Sequence, residues 1–163
     1  MQKKVKILQV GLGPIGQRVT EYAAARESLD LAGAVDPAPE KCGRKVSELC
    51  SLDDSPADPV VVDSVDKALQ NASADLAFLT TSSDLERVVP QIEELVRRGL
   101  HVISTCEELA YPWLTRPDLS QRLDRAAKDN GVSVLGTGVN PGFLMDLLPV
   151  VLSGVCERVR SVQ

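Results

Sequence analysis

Lys4-Val5-Lys6-Ile7-Leu8-Gln9-Val10-Gly11-Leu12-Gly13-Pro14-Ile15-Gly16-Gln17-Arg18 is the stretch whose reading decides the fold. Val5, Ile7, Leu8 and Val10 form a short apolar run dense in β-branched residues, which suits a strand buried on both faces. Gly11, Gly13 and Gly16 follow at G-x-G-x-x-G spacing. The first permits a tight turn, the second lets backbone approach a pyrophosphate, and the third lets the next helix pack closely on the strand. Pro14 falls near the start of that helix, where its missing N–H costs nothing, and Ile15 is its neighbour. The free N–H groups and the positive end of the helix dipole would face the phosphates. The helix is predicted from Ile15 to about Arg26, and a second apolar run, Leu29 to Val35, ends in Asp36. Asp36 stands about 20 residues beyond Gly16, where a Rossmann unit carries the acid that binds the adenine-ribose hydroxyls. Together these features predict a dinucleotide site made of Gly11, Gly13, Pro14, Ile15, Gly16 and Asp36. The plainer alternative is a Rossmann-like sheet that binds nothing, with Asp36 a polar residue before the turn at Pro37.

Outward from this unit, apolar runs keep alternating with helical patterns. Val60-Val61-Val62 reads as a short third strand after the loop Leu52 to Pro59, with a brief helix between Lys41 and Leu49 before it. Asp63-Ser64 caps a helix from Val65 to about Gln70, ended by Asn71. Leu76 to Thr80 is a fourth strand. Asp84 starts a helix to Arg98, closed by Gly99, with Pro90 expected to kink or wedge its first turns. Leu100 to Ser104 is the fifth strand, followed by the polar loop Thr105 to Pro117. Asp118 opens an amphipathic helix with Leu119, Leu123, Ala126 and Ala127 on one side, ending at Asn130-Gly131. Val132 to Leu135 is the sixth strand, and an apolar helix runs from about Phe143 to Leu152. This alternation predicts an α/β doubly wound parallel sheet (Rossmann fold) with its ligand crevice at the carboxyl ends of the strands.

At 163 residues the chain is one domain by size, large enough to bury a real core. A net charge of −5 argues against nucleic acid or an anionic membrane as partner. The N-terminal apolar run is broken by Lys6 and Gln9, so it reads as a strand and not a signal peptide. No stretch approaches the roughly 18 apolar residues of a membrane span. Cys42, Cys50, Cys106 and Cys156 contain no C-x-x-C pair, and His101 is the single histidine, so no metal site is expected. Reduced thiols in a cytoplasmic protein are the natural reading.

The candidate functional residues follow strands. Asp36 favours NAD over NADP by repelling the extra phosphate; Arg44 and Lys45 either soften that preference or are solvated charges. Thr80, Thr81, Ser82 and Ser83 are placed to hydrogen-bond cofactor phosphate and ribose, while Ser82 or Ser83 would equally serve to cap the helix at Asp84. Glu107 and Glu108 point different ways in extended chain, so at most one faces a cofactor, where it could take a proton from an amine or a water. Adjacent acids are otherwise solvated. Asn140-Pro141-Gly142 reads as a built turn whose helix would face a nicotinamide or substrate, with Asp146 either a buried partner or a polar edge. His101 is expected as a packed or half-exposed strand residue, and Cys106 has no histidine near in sequence to activate it.

Ser104-Thr105-Cys106-Glu107-Glu108-Leu109 and Gly136-Thr137-Gly138-Val139-Asn140-Pro141-Gly142-Phe143-Leu144-Met145-Asp146 add a more specific signal. With Gly11 to Gly16, they resemble the cofactor-binding half of the 2,4-diaminopentanoate dehydrogenases and related amine dehydrogenases, which group with the dihydrodipicolinate-reductase-like oxidoreductases. The resemblance covers nearly the whole chain. It implies an NAD or NADP cofactor and reversible oxidative deamination of an amine or diamine to a ketone, with hydride passing between the amine-bearing carbon and the nicotinamide. It implies that Glu107 or Glu108, the latter favoured, binds the ammonium and helps activate water against the imine. Asn140, Pro141 and Gly142 would lie near nicotinamide and substrate.

Such proteins carry a second domain for substrate and dimer contacts. The resemblance therefore implies that residues 1–155 are the Rossmann half and that 156–163 begin a domain otherwise absent from this chain. The full-length protein would be a homodimer or higher, and these residues alone would bind cofactor with little or no turnover. The helix Phe143 to Leu152 would be partly uncovered and apt to self-associate. Two alternatives are imine reduction of the dihydrodipicolinate reductase type and a non-catalytic dinucleotide-binding module.

Overall fold

The computed structural model describes residues 4–52, 57–70 and 72–161. Its strands are β1 (Val5–Val10), β2 (Leu29–Val35), β3 (Val61–Val62), β4 (Leu76–Leu79), β5 (His101–Ser104) and β6 (Val134–Gly136). Its helices are α1 (Pro14–Ala24), α2 (Val65–Gln70), α3 (Leu85–Arg97), α4 (Pro117–Asp129) and α5 (Leu148–Ser153). The strands form one 6-stranded sheet in the order β3-β2-β1-β4-β5-β6, and each neighbouring pair is parallel. The predicted doubly wound sheet is therefore what the chain builds. The order reverses between β1 and β4, and a ligand crevice opens outside the strand ends at such a reversal.

The central strand shows how the sequence achieves this. Leu8 and Val10 enter one core with Leu79, Val88, Ile92 and Leu95, from β4 and α3. Ile7 points the other way, into a core with Leu12, Ala23, Leu31 and Ala34. Side chains alternate across a strand, so a run apolar at nearly every position has both faces covered, each buried Leu or Ile contributing roughly 2 kcal/mol.

α3 is anchored at its start by Asp84, whose carboxylate accepts from the N–H groups of Glu86 and Arg87. Ser82 Oγ accepts from the Asp84 N–H at 3.1 Å, so this serine serves the cap. The helix runs on through Pro90, which lies on its exposed face. Asp84→Ala is expected to cost about 1 kcal/mol and to lower the melting temperature by about 3 °C. A thermal melt followed by circular dichroism checks this, and an unchanged midpoint would remove the cap from the account.

Several boundaries differ from expectation for local reasons. The Val132 N–H bonds back to Ala127 O at 3.0 Å, closing α4, so β6 begins later than the apolar run does. Leu100 N–H likewise returns to Leu95 O, and β5 starts at His101. The helix expected between Lys41 and Leu49 is only a 3-10 turn, Val46–Glu48, and Val60 forms an isolated bridge with Lys45. Asn71, the expected end of α2, and residues 53–56 of the loop Leu52 to Pro59 lie outside the described residues.

The segment Val139–Leu147 winds in wide turns, but Asn140, Pro141 and Gly142 are not helical, so the helix starts near Phe143 as expected and passes into α5. Its apolar side chains are uncovered, with Met145 70% and Val150 68% exposed. No helix among the described residues is long and apolar enough to cross a membrane.

Candidate functional site

The sheet register aligns the strand ends. Val10 pairs with Val35 and Leu79, Val35 with Val62, Leu79 with Ser104, and Ser104 with Gly136. The next residues, Gly11, Asp36, Asp63, Thr80, Thr105 and Thr137, therefore emerge along one edge. Gly11 N–H to Val35 O (2.8 Å), Thr80 N–H to Val10 O (2.9 Å) and Thr137 N–H to Ser104 O (2.9 Å) extend the ladder there. Two concavities lie on this edge. One, of about 460 Å³, is walled by Ile15, Arg18 and Tyr22 of α1, Thr80 to Ser83, Thr105, Glu107 and Asn140. The other, of about 320 Å³, is lined by Val10, Gly11, Val35, Asp63, Ser64 and Gln91, and Thr81 lines both.

The glycine turn is fixed by contact. Gly11 has φ +90°, and a Cβ on Gly16 would lie 2.0 Å from the Gly11 carbonyl oxygen and 2.7 Å from Thr80 Oγ1. A Cβ on Gly13 would meet nothing within 4 Å, so the space above that residue is open. Pro14 occupies the first turn of α1, and Ile15 is 59% exposed toward the larger concavity. Beneath the turn lies Gln9, fully buried, which the sequence reading passed over. Its Nε2 donates to Gly11 O at 2.8 Å and to Thr80 Oγ1 at 2.9 Å, and that hydroxyl donates in turn to Gly11 O at 2.9 Å. The available signal was a glutamine inside a central apolar strand. Thr80 thus braces the turn with its hydroxyl, while Thr81 Oγ1 donates to Gln91 Oε1 at 2.8 Å.

Asp36 is 6% exposed at the end of β2. Its Oδ2 accepts from Leu12 N–H and Lys41 Nζ, both at 2.8 Å, and its Oδ1 accepts from Ala38 N–H at 3.0 Å. Burial pushes its carboxyl up, but the Lys41 ammonium and the Ala38 and Leu12 N–H groups outweigh that and hold it below its ordinary value. The cations flagged by sequence proximity turn elsewhere: Arg44 pairs with Glu48 at 3.3 Å, and Lys45 lies 3.8 Å from Asp58.

A 3-10 turn, Glu107–Leu109, separates the paired acids. Glu107 lines the larger concavity. Glu108 Oε2 instead accepts from Leu85 N–H at 2.8 Å, in the first turn of α3. Cys106 between them and the sheet is fully buried, donates to Ser83 O at 3.1 Å, and has its thiol pushed up by that burial. Asn140 lies in the larger concavity, Pro141 is buried, and Gly142, at φ +110°, donates its N–H to Asp146 Oδ2 at 2.7 Å. Asp146 is exposed, the polar-edge alternative. His101 is exposed at the start of β5, its Nδ1 accepting from Ser133 N–H. Among the described residues no group of His, Cys, Asp or Glu could hold a metal ion.

Sheet order, glycine turn at the switch point and acid at the end of β2 together define a Rossmann-type α/β domain. Its likeness to known proteins is more particular. The chain is 34% identical over 160 residues to 2,4-diaminopentanoate dehydrogenase of Acetoanaerobium sticklandii, covering 98% of this chain and 45% of that protein. It is 27% identical over 158 residues to the amine dehydrogenase of Streptomyces virginiae, covering 94% of this chain and 43% of the relative. The structure of amine dehydrogenase from Mycobacterium smegmatis superposes with a TM-score of 0.83 at 25% identity, over 97% of this chain and 46% of that one. No protein-family model matches the chain. The resemblance read from the motifs is borne out, and the chain spans somewhat less than half the length of the relatives it matches.

Proposed function

We propose that this chain is the cofactor-binding part of an NAD(P)-dependent amine dehydrogenase. The observation that carries the reading is the single strand-end edge on which the Asp36 carboxylate after β2, the open space at Gly13 after β1 and Glu107 after β5 stand in that order across the switch point. The residues fit a dinucleotide. The backbone at Gly13 and the N-terminus of α1 would take the pyrophosphate, since free N–H groups and the helix dipole favour an anion there. Asp36 Oδ1, with one N–H donor from Ala38, keeps acceptor capacity for a ribose hydroxyl. The larger concavity, with Asn140 on its wall, would hold the nicotinamide end. When bound, the nicotinamide supplies the hydride acceptor and donor.

The carboxylate of Glu107 would hold the substrate ammonium and take the proton of an attacking water. Glu108, engaged with the Leu85 N–H, would instead hold the Glu107 turn against α3. This reverses the preference for Glu108 that the resemblance implied. The names of the curated relatives support an amine substrate; the residues present support an acid at the mouth of the sheet.

Titration of the chain with NADH is expected to give saturable binding, and its absence with both NADH and NADPH would sink the reading. On the full-length polypeptide, Glu107→Gln is expected to lower the rate of amine oxidation at least about a hundredfold with NADH affinity retained. Glu108→Gln is expected to lower the melting temperature, with a smaller effect on rate. The reverse pattern would return the catalytic role to Glu108.

A further inference from the structure

We propose that Lys41 is the residue that admits the 2′-phosphate of NADP(H), so that the Asp36–Lys41 pair opens the site to both dinucleotides. The inference rests on the reading of this edge as a dinucleotide site. An acid at the end of β2 disfavours a phosphate on the adenine ribose, because two anions would share one small space. Here the acid is not alone. Lys41 Nζ lies 2.8 Å from Asp36 Oδ2, with only 20% of the lysine side chain and 9% of the aspartate side chain exposed.

The pairing is built into the turn that follows the strand. Lys41 and Cys42 both donate their backbone N–H to Ala38 O, and Cys42 Sγ donates to Asp36 O at 3.1 Å. These bonds fold residue 41 back onto residue 36. An ammonium carries three N–H donors, and its bond to Asp36 engages one, so it can bridge the carboxylate and a phosphate at once. A ribose hydroxyl needs only Asp36 Oδ1, so the unphosphorylated dinucleotide binds without disturbing the ion pair. Arg44 and Lys45 do not compete for the role: Arg44 donates to the Glu48 carboxylate and carbonyl, and Lys45 lies against Asp58.

The test is calorimetric titration of the chain with NADH and with NADPH, on wild type, Lys41→Gln, Lys41→Arg and Arg44→Gln. Lys41→Gln is expected to weaken NADPH about tenfold or more while NADH changes less than about threefold. Lys41→Arg, which keeps the charge and the donors, is expected to retain NADPH, and Arg44→Gln to leave the ratio unchanged. A Lys41→Gln chain that keeps the wild-type ratio, or loses both dinucleotides alike, overturns the proposal, as does selective loss of NADPH in Arg44→Gln. If wild type binds neither dinucleotide, the reading of the site fails first and takes this inference with it.

Discussion

Gly16→Ala is expected to destabilise the chain by about 3 kcal/mol, lowering its melting temperature by about 10 °C, and to abolish dinucleotide binding. The added methyl would sit 2.0 Å from the Gly11 carbonyl oxygen and 2.7 Å from Thr80 Oγ1. The first of these is backbone in a turn already held by Gln9 and Thr80, so it cannot swing aside as the end of a long side chain would. Relief requires α1 to move off β1, which opens the core around Leu12 and Ala23. Gly13→Ala separates the two roles a glycine can play. Its Cβ would enter open space, so the melting temperature is expected to stay within about 3 °C, while a methyl on the pyrophosphate approach weakens NADH at least about tenfold. Melting curves and titrations on both variants check this. Equal effects of the two substitutions on stability would mean that the packing at Gly16 is not what fixes the turn.

Asp36→Ala is the second large effect. It would leave the buried Leu12 N–H, the Ala38 N–H and the Lys41 ammonium without their acceptor. Orphaning these groups is expected to cost about 2–4 kcal/mol and to weaken NADH at least about tenfold through loss of the ribose acceptor. The stability part has a predictable pH dependence. Against the opposing effect of burial, Lys41, Ala38 and Leu12 hold the Asp36 carboxyl below its ordinary value in the fold. Its ionised form therefore stabilises fully above the unfolded value of about 3.9, and that contribution is lost as pH falls through the lower folded value. Wild-type and Asp36→Ala melts should differ most at neutral pH and draw together in acid below that range. A gap that stays constant into acid would show that the carboxylate charge is not what stabilises the turn.

Lys41 illustrates where reading by sequence distance stops. Arg44 and Lys45 lie in the same stretch after Asp36 and carry the same charge, and the turn through Ala38 decides which cation folds back. The paired glutamates make the same point. Adjacency makes them diverge, but which one faces the concavity depends on the hydrogen bond that Glu108 accepts from the Leu85 N–H, 23 positions away. Gln9 depends on a partner farther still, Thr80, 71 positions on.

The sequence by itself determined the strand and helix order, the doubly wound sheet, the glycine turn and the place of Asp36. Those follow from short-range periodicity and from spacings within one strand–turn–helix–strand unit, where the backbone leaves few alternatives. Tertiary structure alone decided that Lys41 pairs with Asp36, that Thr80 braces the turn, and that Glu107 and not Glu108 lines the concavity. The first is set by the turn through Ala38, and the other two are side-chain directions set by partners that parallel strand pairing brings close; hydrophobic periodicity encodes none of them.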